Sequence, residues 1–241
     1  MTEKNTPVLG DRHARTAMLI GSEAISRLGN AHVAVFGIGG VGGYVVEALA
    51  RAGVGELTLV DADTVSESNL NRQIIALTST VGMKKTEAAA ARVRDIDAHI
   101  VVHVRDTFYL PENADEFDLS RYDYVVDAVD TVAAKMELIR RARAAGVPII
   151  CSMGTGNKLD PTAFRVTTLE KTDTCPLCRT MRGLCRKEGI HGVKVVYSTE
   201  LPRGTTLDDG HGRHAPGSIS FVPAAAGLVL ASEVVRELCD L

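Results

Sequence analysis

Three glycines near the start of the chain have the spacing of a nucleotide-binding turn. Gly37, Gly39 and Gly42 follow an apolar run and open an amphipathic one, which places the turn between a strand and a helix. A side chain at these positions would keep the backbone away from a phosphate, whereas free N–H groups at the start of a helix attract an anion. Asp61 stands about 20 residues farther on, where an acid accepts hydrogen bonds from ribose hydroxyls. This pattern predicts nucleotide binding without distinguishing NAD from ATP.

Charged side chains farther along the chain favour ATP. Arg72 lies in a polar stretch after the second predicted strand, Lys85 lies at the next predicted helix, and Asp130 follows the fourth predicted strand. Because the carboxyl ends of parallel strands open onto one crevice, we expect these side chains to converge there. A guanidinium and an ammonium bind phosphate oxygens, and a carboxylate holds a magnesium ion that bridges them. Cleavage of ATP at the α-phosphate needs this neutralisation of charge, whereas hydride transfer does not. Each charge alone is also typical of a solvated surface, so the prediction depends on their shared position.

The elements that must position these side chains alternate along the first 155 residues. Apolar runs predict strands over His32–Phe36 and over residues 57–60, 100–104, 124–126 and 147–151. Helical periodicity predicts one helix within residues 1–30, after a polar lead, and others over residues 41–52, 84–96 and 133–145. Short apolar strands that alternate with amphipathic helices predict βαβ units. We therefore expect an α/β fold with a doubly wound, mostly parallel, Rossmann-like sheet.

The alternation weakens after Gly154. Residues 165–168 and 193–198 have the pattern of strands, residues 201–217 that of a mobile loop rich in Gly, Asp and His, and Phe221–Leu238 that of a helix. We predict a single domain over residues 1–241. Its nucleotide-binding half is 1–155, and its substrate-side half, 156–241, completes the same sheet.

Composition narrows the class of protein further. The chain has 241 residues, of which 45% are hydrophobic and 24% charged, and this balance argues against a disordered chain. The net charge of -3 gives no overall attraction to a polyanion, so contact with nucleic acid would need a local patch. No apolar run is long enough to span a membrane, and the N-terminus lacks a signal core. The five cysteines show no disulfide framework, so we expect a cytoplasmic protein.

Four blocks of sequence resemble the ThiF/MoeB/ubiquitin-activating superfamily. They are Gly-Ile-Gly-Gly-Val-Gly from Gly37, Asn-Leu-Asn-Arg-Gln ending at Gln73, Thr-Val-Gly-x-x-Lys ending at Lys85, and Asp-x-x-Asp ending at Asp130. The resemblance implies that a carboxylate attacks ATP to form an acyl-adenylate, with release of pyrophosphate. It also implies a ThiF-type fold.

The resemblance implies the role of each site residue. ATP would be bound by Gly37, Gly39, Gly40, Gly42, Asp61, Asp63, Asn69, Arg72, Gln73, Lys85 and Asp130. Of these, Arg72, Lys85 and Asp130 would be catalytic, and Asp130 would hold Mg²⁺ and be the least replaceable. Arg15 matches a further catalytic arginine that reaches the phosphates of the neighbouring subunit in related dimers, which implies a homodimer.

Within the superfamily, the second half resembles the tRNA threonylcarbamoyladenosine dehydratases. The matching stretches are residues 152–162, 187–190, 193–198 and 217–228. The resemblance implies a tRNA substrate in which the threonyl carboxylate of a modified adenosine beside the anticodon is activated. The neighbouring carbamoyl group then closes a ring, and water is lost overall. A cysteine-desulfurase sulfur-relay protein is a further expected partner.

A basic cluster in the second half is compatible with tRNA. Its members are Lys171, Arg179, Arg182, Arg186, Lys187 and Lys194, against only Asp173 and Glu188. Such a cluster contacts phosphates or forms the solvated face of a helix, and the sequence leaves both interpretations open. Nothing in spacing or charge encodes the modified nucleoside, so that substrate depends on the resemblance alone.

Cys175 and Cys178 have the spacing of half a zinc site. Tetrahedral zinc needs four ligands, and the sulfur-carrier activators of the superfamily supply a second Cys-x-x-Cys near the C-terminus, where this chain has only Cys239. Cys185, His191, His211 or His214 would have to complete the site. The alternative is two ordinary cysteines in a helix-turn segment.

Two other functions stay open at this point. An adenylyltransferase for the C-terminal Gly-Gly of a ubiquitin-like sulfur-carrier protein would share the ATP site, but the missing cysteine pair counts against it. An NAD-binding oxidoreductase, or an inert nucleotide-binding module, would share the glycine turn. The sequence shows no obvious His or Tyr at a strand end to act as the proton relay in hydride transfer. Preferential binding of NADH over ATP would decide for this class.

Overall fold

The strands of the computed structural model lie where the apolar runs predict them. The structure describes residues 12–204, 206–208 and 214–241, and for residues 206–208 and 214–215 it describes the backbone. The main strands are β1 (His32–Phe36), β2 (Glu56–Val60), β3 (Val101–Arg105), β4 (Tyr124–Asp127), β5 (Ile149–Ser152), β6 (Phe164–Thr168) and β7 (Lys194–Ser198). The helices are α1 (Ala14–Ile20), α2 (Ser22–Asn30), α3 (Gly42–Ala52), α4 (Lys85–Ile96), α5 (Val132–Ala145), α6 (Pro176–Lys187) and α7 (Phe221–Leu238).

The seven strands form one sheet in the order β3-β2-β1-β4-β5-β7-β6. All neighbours are parallel except β6, which pairs antiparallel with β7. The chain leaves β1 towards β2 on one side and returns to β4 on the other, so the strand order reverses between β1 and β4. A crevice forms at such a switch point, beyond the carboxyl ends of the strands. The predicted α/β class is confirmed, and β6 and β7 complete the same sheet.

Alternating side chains on the strands divide the core into two layers. Val33 and Val35 face the layer of α2, α3, α4 and α7, whereas Ala34 and Phe36 face the layer that contains α5 and the segment over residues 106–123. Helix α6 packs on that second layer beside α5, over β5 and β7. Both faces of the central strands are buried, which explains why they read as continuous apolar runs.

Two predicted elements differ from the structure. The single helix expected within residues 1–30 is two helices, α1 and α2, because Gly21 lies between them with φ 85° and ψ 158°, a conformation that only glycine adopts readily. The loop expected over residues 201–217 contains a hairpin of β8 (Thr206–Asp208) and β9 (His214–Pro216). The two strands are too short to show an alternating pattern in the sequence. None of the helices in the described part of the chain is long and apolar enough to cross a membrane.

Candidate functional site

A cleft of about 910 Å³ opens at the carboxyl ends of β1, β2 and β4. It is lined by ten of the residues predicted to bind nucleotide, namely Gly37, Gly39, Gly40, Asp61, Asp63, Asn69, Arg72, Gln73, Lys85 and Asp130. The structure therefore brings together residues that lie up to 93 positions apart in the chain, from Gly37 to Asp130. Their individual roles stay predictions, whereas their convergence is an observation.

The glycine turn joins β1 to α3 with little room for side chains. Gly37 has φ 87°, and a Cβ atom there would lie 2.7 Å from the carbonyl oxygen of Ala128 in the loop after β4. Gly42 is different from the other glycines, because it does not line the cleft and begins α3. A Cβ atom on Gly42 would lie 1.8 Å from the carbonyl oxygen of Gly37. Gly42 thus lets the turn close, and its predicted contact with the nucleotide stays a prediction.

Asp61 holds the glycine turn against the loop that follows β2. Its two carboxylate oxygens accept hydrogen bonds from the backbone N–H groups of Ile38, at 2.7 Å, and Asp63, at 2.9 Å. Burial raises the pKa of Asp61, and the charge of Lys85 opposes that rise. Each carboxylate oxygen has a second lone pair. Asp61 can therefore brace the turn and still accept hydrogen bonds from a ligand in the cleft.

Two cationic side chains, Arg72 and Lys85, line the cleft. Lys85, the first residue of α4, is buried, and its Nζ lies 2.6 Å from Oδ2 of Asp63. Nη1 of Arg72 donates to the carbonyl oxygen of Ser68 at 2.8 Å and to Oδ1 of Asn71 at 2.9 Å. These contacts fix the direction of both cations with ordinary hydrogen bonds, so little side-chain entropy would be lost when an anion binds.

The side-chain oxygens of Asn69 and Gln73 differ in their hydrogen bonding. Oδ1 of Asn69 accepts the backbone N–H of Ser66 at 3.1 Å, which caps a short helical turn. Oε1 of Gln73 is buried and has no hydrogen-bond donor among the described residues. A buried amide oxygen without a donor costs about 1–3 kcal/mol. Oε1 has almost no exposed surface, so its buried state is not evidence of a ligand contact, and the role of Gln73 in nucleotide binding stays a prediction.

The two acids of the Asp-x-x-Asp block have separate tasks. Asp127 is fully buried against Lys135 of α5, whose Nζ lies 3.0 Å from both carboxylate oxygens and donates to the carbonyl oxygen of Ser152 at 2.7 Å. Oδ1 of Asp127 also accepts the backbone N–H of Val129 at 3.2 Å. Asp130 is exposed in the cleft, and within the described residues its carboxylate accepts one long hydrogen bond, 3.4 Å, from Thr131. Asp127 braces the loop, and Asp130 is available to a ligand.

Sequence reasoning missed Lys135 and part of the cleft wall. Lys135 lies three positions after Val132 and four before Ile139 on α5, so it shares the inward face of the helix with them. A charged residue at an apolar position of this pattern is the feature of the sequence that could have identified it. The missed wall residues are Val41, Val60, Thr107, Phe108, Tyr109, Leu110, Ala128, Val129, Thr131, Thr155, Gly156, Pro216, Ser218 and Pro223. Many of them lie in irregular segments of both halves, where the sequence has no periodicity. Asn71 ties one such segment to the cleft by donating to the carbonyl oxygen of Ser218 at 3.0 Å.

Arg15 does not line the cleft of its own chain. It lies on α1 and is exposed, and the same helix exposes Met18 and Leu19 to 78% and 86%. Its contact with the phosphates of a neighbouring subunit stays a prediction.

Cys175 and Cys178 lie together and are buried at the start of α6. A hydrogen bond from Cys178 and the backbone N–H groups of Cys178 and Gly154 lower the pKa of Cys175, and the shared proton raises that of Cys178. Cys185 instead contacts Met136, and Cys239 contacts the carbonyl oxygen of Ala24.

Among the described residues, no third His, Cys, Asp or Glu joins the Cys175–Cys178 pair in a metal-binding group. His191 lies near Glu170, 3.8 Å from its carboxylate. His211 and the side chain of His214 lie outside the described residues. The zinc prediction is therefore untested at its third and fourth ligands.

The basic cluster is smaller in the structure than in the sequence. Lys171, Arg179, Arg186 and Lys187 are exposed on α6 and the turn before it. Arg182 donates to the carbonyl oxygen of Thr172 at 2.8 Å, and Lys194 pairs with Glu237 of α7. Four cations therefore remain for a polyanion, in place of the six that the sequence contains.

Comparison with known proteins extends these observations. Residues 11–241 match the family described as the ThiF family. A tRNA threonylcarbamoyladenosine dehydratase of Bacillus subtilis (strain 168) is 41% identical over 237 residues, which cover 93% of either chain. The solved structure of E. coli tRNA N6-threonylcarbamoyladenosine dehydratase in complex with ATP is 36% identical with a TM-score of 0.86, and the match covers 97% of both chains. A molybdopterin-synthase adenylyltransferase of Escherichia coli (strain K12) is 31% identical and covers 85% of this chain and 82% of its own.

Proposed function

Because the chain belongs to the ThiF family, we propose that it is an ATP-dependent dehydratase that cyclises threonylcarbamoyladenosine next to the tRNA anticodon. The observation that carries the proposal is the extent of the likeness, which covers 97% of an ATP-bound tRNA-modifying relative and so includes the substrate-side half. The sulfur-carrier adenylyltransferase reading is disfavoured, because a relative of that type is less similar. A nicotinamide oxidoreductase is disfavoured because the cleft gathers Arg72, Lys85 and Asp130.

The proposed reaction balances in two steps. A threonyl carboxylate oxygen attacks the α-phosphorus of ATP, the bond to the β-phosphate breaks, and pyrophosphate leaves. The carbamoyl group then attacks the activated acyl carbon, a ring closes, and AMP leaves with the former carboxylate oxygen while a proton is released. The nucleoside thereby loses the elements of one water, and no oxidant or reductant takes part.

We assign tasks in this reaction from the contacts in the cleft. Arg72 and Lys85 bind the phosphates, because both line the cleft and their cationic groups are held in place by the carbonyl oxygen of Ser68 and the carboxylate of Asp63. Asp61 and Gln73 bind the ribose, because both line the cleft beside the glycine turn. The exposed carboxylate of Asp130 is a hard oxygen donor that suits Mg²⁺, which would neutralise phosphate charge when bound.

Mass spectrometry of tRNA nucleosides tests the proposed reaction. We expect that incubation of substrate tRNA with the protein, ATP and magnesium converts threonylcarbamoyladenosine into a product lighter by one water, with one AMP formed per product. Reactions without ATP, or with NAD in its place, are the controls. Pyrophosphate exchange that depends on a sulfur-carrier protein, with the tRNA nucleoside unchanged, would instead support the alternative adenylyltransferase.

The exposed position of Arg15 supports a proposed homodimer with shared sites. We propose that Arg15 reaches the cleft of the partner, since it is exposed on α1 beside the uncovered side chains of Met18 and Leu19. Arg15→Ala and Asp130→Ala proteins are each expected to be nearly inactive. In a mixed dimer, the subunit with Asp130 receives Arg15 from the other subunit, so one site of the two is complete. Equal mixing is therefore expected to restore about one quarter of the wild-type rate.

The control for this complementation is each variant assayed alone at the same total concentration. Subunit exchange is driven by overnight incubation of the mixture, and rates of AMP formation are compared before and after. A mixture no more active than the sum of its components would show that Arg15 does not act across an interface.

The remaining assignments are also proposals. Residues 1–241 act as one domain, and the 156–241 half contacts the substrate through the exposed cations of α6. We propose the cytoplasm as the location, because the substrate is tRNA and all five cysteines are free thiols, as is typical of a reducing compartment. A cysteine-desulfurase sulfur-relay protein is a proposed partner that rests on the family resemblance.

A further inference from the structure

Two histidines and a glutamate meet at the end of the sheet opposite the cleft. His32 is the first residue of β1, Glu56 is the first residue of β2, and His103 lies in β3. The register pairs His32 with Glu56, and it pairs His103 with Thr58, which lies two residues beyond Glu56 on the same face. The three side chains therefore project from one face of three adjacent strands. His32 and Glu56 lie at the amino ends of their strands and His103 lies in the middle of β3, whereas Asp61 and the cleft lie at the carboxyl ends.

The ligand atoms of this group are close enough to share one ion. Nδ1 of His32 lies 3.3 Å from Oε1 of Glu56, and Nε2 of His103 lies 2.6 Å from the same oxygen. All three ligand atoms lie within 4.8 Å of one another. Ligands of a tetrahedral zinc ion, with bonds of about 2.0–2.1 Å, lie about 3.3 Å apart. The separations in this group, 2.6 Å, 3.3 Å and at most 4.8 Å, bracket that spacing.

Surrounding residues hold the His32 ring in the orientation that a metal ligand needs. Nε2 of His32 is hydrogen-bonded to Oγ1 of the buried Thr58 at 2.8 Å, which leaves Nδ1 directed at Glu56. The ring of Tyr122 packs edge-on against the imidazole, with centroids 4.8 Å apart. The backbone N–H of His32 donates to Asp123 at 2.8 Å. An outer partner on the second nitrogen is the usual support for a histidine that binds metal.

The site is partly open to solvent. The side chains of His32, Glu56 and His103 are exposed to 14%, 38% and 47%. An ion can enter without local unfolding, and water can occupy a fourth position. Two imidazole nitrogens and one carboxylate oxygen suit zinc and related transition metals, whereas magnesium and calcium prefer oxygen ligands throughout.

We propose that His32, Glu56 and His103 bind one divalent transition-metal ion of the zinc class, with water as the fourth ligand. The ion joins β1, β2 and β3 and stabilises the edge of the sheet at which β3 lies. Without metal, Glu56 is hydrogen-bonded to His103 and lies 3.3 Å from Nδ1 of His32, so the three side chains have polar partners in either state. The proposal is independent of the reaction in the cleft, because none of its residues lines that cleft.

Metal titration of the whole purified protein tests this site. Zn²⁺ is added in competition with a chromogenic chelator after prior removal of metal, and Co²⁺ serves as a spectroscopic probe. We expect one equivalent to bind at this site, and His103→Ala to weaken that binding by at least about 100-fold. His99→Ala is the matched control, because His99 is an exposed histidine paired with Asp97, and it should leave the affinity unchanged. Thr58→Val, which removes the outer partner of His32, should weaken binding by about 10–100-fold.

Two further readouts separate this site from the cysteine pair. Co²⁺ bound by His32, Glu56 and His103 gives no thiolate-to-metal absorption band, whereas Co²⁺ bound by Cys175 and Cys178 does. Zn²⁺ should raise the unfolding temperature of the wild-type protein, and His103→Ala should abolish the increase. Absence of stoichiometric binding, affinity unchanged in His103→Ala, or a thiolate band as the only signal would each overturn the proposal.

Discussion

Replacement of Asp130 by alanine is expected to slow ATP-dependent dehydration by at least about 1000-fold, because the variant loses the carboxylate proposed to hold Mg²⁺ in the phosphate-binding cleft. Asp130 is exposed in the cleft, and among the described residues it accepts only a long hydrogen bond from Thr131. Its charge is therefore not used to hold the fold. Removal of the side chain should change the free energy of unfolding by no more than about 0.5 kcal/mol.

The size of the expected loss follows from where charge develops. When the bond between the α- and β-phosphates breaks, negative charge grows on pyrophosphate, and a cation that is already in position stabilises that charge without reorganisation. Asp130 is itself an anion, so it would act by holding such a cation, Mg²⁺. If Asp130 acts mainly in this step, the variant should bind ATP nearly as well as the wild type and form AMP far more slowly. Single-turnover AMP formation and equilibrium ATP binding distinguish the two effects.

Asp95→Ala is the matched control for Asp130→Ala. Asp95 is an exposed acid on α4 outside the cleft, so its removal changes net charge by the same amount without touching the site. Urea denaturation of both variants checks that the fold is intact. Dehydration by Asp130→Ala within about tenfold of the wild-type rate would refute the role assigned to Asp130.

The sequence predicts the strands of the main sheet to within two residues at either end. Central strands of a parallel sheet are buried on both faces, so each appears as an uninterrupted apolar run. The glycine turn is also predictable from the sequence, because its backbone lies too close to neighbouring backbone for a side chain. At Gly37, for example, a Cβ atom would lie 2.7 Å from the carbonyl oxygen of Ala128. The break at Gly21 cannot be predicted from the sequence, because a single glycine in a helical pattern is usually tolerated. Only the dihedral angles of Gly21 show that the helix ends there.

The cleft residues that sequence reasoning found are those fixed by strand ends. The loop after β2 and the loop after β4 must open onto the same crevice, so Asp61 and Asp130 can be placed without coordinates. Side chains that depend on helix rotation or strand register cannot be placed in this way. Lys135 is visible only as a charge on an apolar helix face, and the group of His32, Glu56 and His103 becomes visible only when the register of three strands is known.

The buried ion pair of Asp127 and Lys135 gives the largest expected effect on stability. Lys135→Met should lower the free energy of unfolding by about 3–5 kcal/mol, because it leaves the carboxylate of Asp127 buried without its cation. Both side chains are fully buried, and Nζ of Lys135 also satisfies the carbonyl oxygen of Ser152. Methionine has a similar length and fills the same space, so loss of charge rather than loss of packing dominates the result.

A surface pair provides the control for this measurement. Lys84 is 39% exposed and lies 3.2 Å from Asp106, so Lys84→Met should cost less than about 1 kcal/mol in the same urea titration. Combining Lys135→Met with Asp127→Asn removes the uncompensated charge, and the double variant should therefore be more stable than Lys135→Met alone. If both lysine variants cost the same, Asp127 and Lys135 do not form the ionised pair that their geometry implies.

The consequence for the site distinguishes this pair from an ordinary core contact. Asp127 accepts the backbone N–H of Val129 and so holds the loop that carries Asp130. The Lys135→Met variant should therefore lose dehydration activity even at temperatures where it is folded, and ATP binding should weaken less than the rate of AMP formation. An active, fully folded Lys135→Met protein would mean that the loop keeps Asp130 in place without the buried pair beneath it.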